Sequence, residues 1–125
     1  MSKEADEQQA WLRKQLDKAV DRLTNMNVFE DVSIEIKPAW ILPMRLLVGK
    51  ARGQNNPTTL RWFICGEVPL DHVGADAATT PREVIRHFAL KWQIDASKLD
   101  EAAAKTLIDD AESLYDLADD ERFWP

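Results

Sequence analysis

A chain of 125 residues with 45% hydrophobic content is long enough to bury one core without metal or disulfide staples. Its single cysteine, Cys65, excludes an intramolecular disulfide, and its net charge of −6 argues against general nucleic-acid binding, which needs a basic footprint. The acidity is local: from Asp95 to Pro125 ten acids (Asp95, Asp100, Glu101, Asp109, Asp110, Glu112, Asp116, Asp119, Asp120 and Glu121) face only Lys98, Lys105 and Arg122, while the first 94 residues sum to +1.

Between Glu4 and Thr24, Trp11, Leu12, Leu16, Ala19, Val20 and Leu23 recur at spacings of three and four, which predicts an amphipathic helix. Asn25 and Asn27 are its expected stop. Val32-Ser33-Ile34-Glu35-Ile36-Lys37 alternates apolar and polar residues, the pattern of a strand with one wet face, and Pro38 is expected to end it. Trp40 to Pro43 reads as an apolar connector, Met44 to Arg52 as a second strand, and Gly53 to Pro57 as a turn. Thr59 to Glu67 is the third strand. Leu60, Trp62, Ile64 and Gly66 share one face and Arg61, Phe63 and Cys65 the other, so cover is expected on both sides. Short connections between the three imply an antiparallel meander.

Pro69-Leu70-Asp71-His72 reads as a turn, with Asp71 capping following N–H groups and His72 pinning the loop through its ring. Thr80-Pro81-Arg82-Glu83 is a sharp helix start: a capping hydroxyl, a proline whose missing N–H costs nothing there, and a glutamate completing a capping box. The helix buries Val84, Ile85, Phe88, Ala89 and Trp92 and is interrupted at Asp95-Ala96-Ser97. Ser97 with Asp100 caps a last helix striped by Leu99, Ala103, Leu107, Ala111, Leu114 and Leu117. Asp116, Asp119, Asp120 and Glu121 crowd its negative end, an unfavourable placement that predicts fraying. The expected architecture is α+β, a three-stranded antiparallel meander with one helix before and two after (α-β-β-β-α-α). It forms a single domain over residues 1–125, frayed at 1–5 and 119–125.

Cys65, Asp71, His72 and His87 admit a nucleophile–base reading, which makes a small hydrolase using Cys65 or His72 one hypothesis. A thiol on an apolar strand is more often inert core, and no cysteine-hydrolase motif surrounds this one. His72 and His87 with Asp71 or Asp76 lack the short paired spacings of metal sites, and the acidic helix lacks the order of a calcium loop, so no metal and no cofactor are expected. Arg82, Arg86, His87 and Lys91 give the capped helix a basic side, which is expected to pair with the protein's own acidic last helix. Phe123 and Trp124 either fold back on the core or form an exposed anchor.

Trp62, Ile64, Gly66, Pro69, Asp71 and His72 within WFICGEVPLDH, followed by Arg86, Phe88, Trp92 and Gln93 within RHFALKWQ, resemble a family of small bacterial proteins known only as a domain of unknown function. Trp11 and Gln15 fit the start of the same pattern. The resemblance implies a cytosolic bacterial protein and carries no activity, cofactor or catalytic residue with it. The helix–three strands–helix order is similar to that of double-stranded-RNA-binding domains, but the charge is wrong for their function.

The polar N-terminus MSKEADEQQA is unlike a secretory signal, and no apolar run approaches the roughly 20 residues of a membrane span, so a cytoplasmic location without membrane contact is expected. The function expected is that of a non-catalytic protein-binding or adaptor domain. Pro69, Asp71, His72, Arg86 and Trp124 are the candidate binding residues, and the partner is another protein of basic character, not nucleic acid. The alternative is an acidic escort, either a secretion chaperone or a toxin-immunity protein.

Overall fold

Helix, four antiparallel strands, helix, helix is the order in the computed structural model, which describes residues 2–26, 29, 33–54 and 59–124. The chain divides into two units, Met1–Ala75 and Asp76–Pro125.

In the first unit, α1 (Lys3–Asn25) begins where the Ser2 hydroxyl accepts the Ala5 N–H at 3.1 Å. It ends at Met26, whose N–H donates to the Arg22 carbonyl; Asn27 lies outside the described residues. The strands β1 (Ile34–Leu42), β2 (Leu46–Gly53), β3 (Arg61–Gly66) and β4 (Asp71–Gly74) pair in sequence order. Ala19 and Leu23 of α1 bury against Leu47, Ala51, Phe63 and Cys65 of the sheet, with Leu12, Leu16 and Ile36 around them. Each large side chain so buried stabilises the unit by roughly 1.5–3 kcal/mol. Trp62 and Ile64, on the opposite face of β3, are buried as well, in keeping with its two apolar faces.

Three expectations are corrected here. Pro38 does not end β1. The strand continues to Leu42, and its register on β2 shifts between Pro38 (opposite Gly49) and Trp40 (opposite Val48), so Ala39 is an extra residue. β1 is an edge strand, where a proline at a bulge sacrifices no ladder bond. The supposed connector Trp40–Pro43 is therefore mostly strand, and the hairpin turn is Pro43-Met44-Arg45, with Arg45 N–H donating to the Leu42 carbonyl at 3.0 Å. Met44 carries the turn at φ +65°.

The sheet has four strands, not three. Asp71 and His72 belong to β4, where Ile64 faces Asp71 and Phe63 faces His72. Asp-His-Val-Gly has no strand pattern of its own; the free edge of β3 imposes the conformation. At the end of β3, Gly66 lies close against the β1–β2 turn. Its φ is +124°, and a Cβ there would collide with the Arg45 carbonyl.

In the second unit, α2 (Pro81–Ala96) and α3 (Glu101–Asp119) pack on each other, and a short 3-10 turn covers Glu121–Phe123. Thr80 Oγ1 accepts the Glu83 N–H at 3.2 Å, and Pro81 opens the helix as its sequence predicts. Glu83 reaches back one residue further than a simple capping box, accepting from Thr79 N–H at 2.8 Å and Thr79 Oγ1 at 2.9 Å. The third correction is at the last cap. Asp100 alone caps α3, taking the Ala103 N–H at 2.9 Å, while the Ser97 hydroxyl donates backward to the Ile94 carbonyl at 2.7 Å and closes α2. The buried stripe of α3 is Ala111, Leu114 and Ala118; Leu99 and Ala103 are exposed.

Candidate functional site

Of the five candidate binding residues, Asp71 and His72 come together on β4 and Pro69 stands exposed just before it. His72 is pinned, but across the sheet rather than within a turn. Its ring Nδ1 accepts a hydrogen bond from Arg61 Nε at 2.9 Å. Arg61 lies opposite Gly74 and His72 opposite Phe63, so this bond runs diagonally between β3 and β4. Asp71 Oδ1 accepts the His72 N–H at 2.8 Å, the local capping role the sequence suggests. With Nδ1 committed to Arg61, this nitrogen is not offered to a reacting group.

Cys65 is fully buried among Ala19, Leu23, Leu47 and Phe63. Loss of solvation pushes its thiol up to about 11, with the charge of Lys18 opposing in part. A thiol so protonated near neutral pH and closed to solvent is a poor nucleophile. Among the described residues, no group of three or more His, Cys, Asp or Glu side chains is placed to hold a metal ion. No helix among them is long and apolar enough to cross a membrane.

The remaining two candidates lie in the second unit. Trp124 is half-buried; its indole N–H donates to the Leu117 carbonyl at 3.1 Å, and the Arg82 guanidinium sits 5.8 Å from its ring. Arg82 Nε also donates to the Ala118 carbonyl at 2.7 Å while its Nη2 reaches Glu121 Oε1 at 2.8 Å. A cation thus occupies the negative end of α3. The pairing holds the Glu121 carboxyl below its ordinary range, and Arg122 holds that of Asp120 down to about 2. The acids at 120 and 121 therefore have partners, and the Arg82–Glu121 pair is of the kind expected between the basic side of α2 and the acidic end of the chain.

Arg86 opens onto a different feature. With Ala89, Leu90 and Gln93 of α2 and Tyr115 and Asp119 of α3 it lines a cleft of about 240 Å³. Leu90 is 61% exposed, Tyr115 58% and Ile94 54%. Ile108 is exposed on the same stripe of α3 as Tyr115, seven residues earlier. Glu112 and Asp116 are exposed on the same helix, and the exposed Asp119 is part of the cleft lining. Sequence reading missed Leu90, Ile94, Ile108 and Tyr115. The available signal was that each lies off the buried stripe of its helix, where an apolar residue has no folding role.

The chain is of the α+β class, with an antiparallel four-stranded sheet in its first unit and a helical hairpin bearing exposed apolar side chains in its second. The chain belongs to the family described as Domain of unknown function (DUF4826), whose model matches residues 5–124. Comparisons with curated proteins and with solved structures returned no match.

Proposed function

We propose that this protein is a non-catalytic binding module. Its contact surface is the α2–α3 cleft, and its ligand is a segment of a partner protein that combines basic residues with an apolar anchor. The observation that carries this reading is the outward placement of Leu90 and Tyr115 around one cleft, with the exposed Ile94 one turn after Leu90 on α2. Large apolar side chains grouped on a surface cost solubility and stabilise nothing inside the unit, while they supply the desolvated centre that interfaces need. The chemistry of the partner follows from the rim. Glu112, Asp116 and Asp119 are exposed there, and Asp109 lies one turn before Glu112. Such a rim steers a basic segment toward the cleft and penalises an acidic one. Arg86 is the exception, and it provides one donor for a backbone carbonyl or carboxylate of the bound segment.

The test places a photo-crosslinking amino acid at Leu90 and, as a control, at the exposed Glu7 of α1. One defined product is expected at position 90 in cells, none of it at position 7, and its loss when Tyr115→Asp is added. Asp116→Asn with Asp119→Asn should leave the unfolding midpoint unchanged and slow association in a salt-dependent way. The same products at both positions, or no effect of Tyr115→Asp, would remove the cleft from consideration.

A further inference from the structure

The β-sheet carries a second surface feature, independent of the α2–α3 cleft. Lys37 and Lys50 are direct cross-strand partners on β1 and β2, and Glu35 and Arg52 are the next pair on the same face. Like charges placed opposite each other weaken a sheet. The neighbouring carboxylate does not relieve them, because Glu35 Oε2 is taken by Arg52 at 2.7–2.8 Å. Lys37 stands in no ion pair among the described residues. Lys50 is held with its Nζ 4.6 Å from the centre of the Trp62 ring, a cation–π contact that fixes the ammonium in position and leaves its hydrogen-bond donors unspent on a carboxylate.

These four side chains, with Ile36 and Leu60, line a groove of about 540 Å³. That lies within the roughly 300–1,000 Å³ typical of small-molecule sites. Lys37, Lys50 and Arg52 against Glu35 leave two positive charges in excess in a protein whose net charge is −6. Folding alone gives no reason to set two lysines opposite each other in an otherwise acidic chain. An anion lying between them does, because it turns the repulsion into a pair of charge-assisted hydrogen bonds.

We propose that this groove binds a phosphorylated small molecule. The phosphate bridges Lys37 and Lys50, and the less polar body lies along Leu60. The groove is larger than a bare inorganic anion needs, and Leu60 in its lining suits an organic portion. The β-bulge at Ala39, two residues after Lys37, shifts the strand's register near this charged pair, a placement that recurs beside binding sites. The guanidinium of Arg52, already oriented by Glu35, is the third donor within reach of the same groove.

The prediction is an unusual combination: both lysines are needed for the ligand, and Lys37, unlike the Trp62-bound Lys50, is a burden to the unliganded fold. The probes are pyrophosphate and AMP, with adenosine as the phosphate-free control, followed by NMR on the amides of Lys37 and Lys50 and the indole N–H of Trp62. Saturable shifts are expected with pyrophosphate and AMP and none with adenosine. Lys37→Gln and Lys50→Gln should each weaken AMP binding by about tenfold or more, as expected for loss of a charge-assisted hydrogen bond. Lys37→Gln should keep or raise the unfolding midpoint in phosphate-free buffer. Failure of the probes to saturate by about 10 mM would overturn the site, since weaker binding has no specificity to explain. So would shifts reproduced by sodium chloride at equal ionic strength, or unchanged AMP affinity in both lysine variants. Pyrophosphate binding with no gain from the nucleoside of AMP would reduce it to an adventitious ion only. Preference for a phosphoserine peptide over AMP would replace the small molecule by a protein ligand and overturn the proposal as stated.

Discussion

Arg82 and Glu121, 39 positions apart in the chain, form an ion pair at 2.8 Å while the same guanidinium donates to the Ala118 carbonyl at 2.7 Å. One side chain from the first turn of α2 thus supplies both a counter-charge for the acidic end of the chain and a hydrogen bond to the last turn of α3. Arg82 is mostly covered, with 20% of its side chain exposed against 80% for Glu121. The carbonyl bond and the packing beside Trp124 should therefore matter more than the solvent-screened pair. Arg82→Ala is expected to lower the unfolding midpoint clearly, and Glu121→Gln only slightly. Equal effects of the two substitutions would mean that the ion pair, not the helix terminus, is what Arg82 serves.

Acid should act on the same corner. Asp120 and Glu121 have depressed carboxyls in the folded state, so their contribution is complete above the ordinary carboxylate range, about pH 4–4.5. It is lost as pH falls through the folded values, down to about 2 for Asp120. Wild-type protein should lose stability over this window more steeply than Asp120→Asn with Glu121→Gln, measured as denaturant midpoint against pH.

Cys65 gives the opposite end of the pH scale. Its thiol is raised to about 11 when folded, from a reference of 9.0. Above pH 9 the unfolded chain ionises first, so the folded state loses stability as pH rises. The loss is about 1.4 kcal/mol per unit, on the order of 2–3 kcal/mol by pH 11. Cys65→Ala should be less stable at pH 7, through lost packing, and should lack this alkaline slope. Rapid labelling of the native thiol by a small reagent at neutral pH would contradict the buried, protonated assignment.

The cap at Thr80 accepts one N–H of the first turn of α2, that of Glu83. Thr80→Ala should cost on the order of 1 kcal/mol. Thr80→Ser, which keeps the oxygen, should cost much less. If the two are indistinguishable in urea unfolding, the hydroxyl contributes nothing.

Gly66 ends β3 in close contact with the β1–β2 turn. At φ +124°, and with the Arg45 carbonyl where a side chain would go, Gly66→Ala should destabilise by roughly 2–4 kcal/mol. Raised hydrogen exchange should concentrate where Gly66 meets the β1–β2 turn, at Arg45, Leu46 and Glu67, whose N–H donates to the Arg45 carbonyl at 2.8 Å. Unchanged exchange there would place the strain elsewhere.

Local patterns determined much of this fold. The stripes of Ala19 and Leu23 on α1 and of Val84, Ile85, Phe88 and Trp92 on α2 were readable because a helix repeats its buried face every three to four residues. The start of α2 was readable because Thr80, Pro81 and Glu83 act on backbone groups within one turn of themselves. The two-faced character of β3 was readable because both of its alternating sets are apolar. What depended on distant partners was not readable. β4 is a strand only because β3 offers an open edge, and β1 runs through Pro38 only because that strand is itself an edge. The pairing of a basic side of α2 with the acidic end of α3 was expected from the sequence, and only tertiary structure selects Arg82 with Glu121 and the Ala118 carbonyl as its members. The Lys37–Lys50 opposition and the Leu90–Tyr115 cleft exist only in register and packing, because the chain order that separates their members carries no trace of which side chains will face each other.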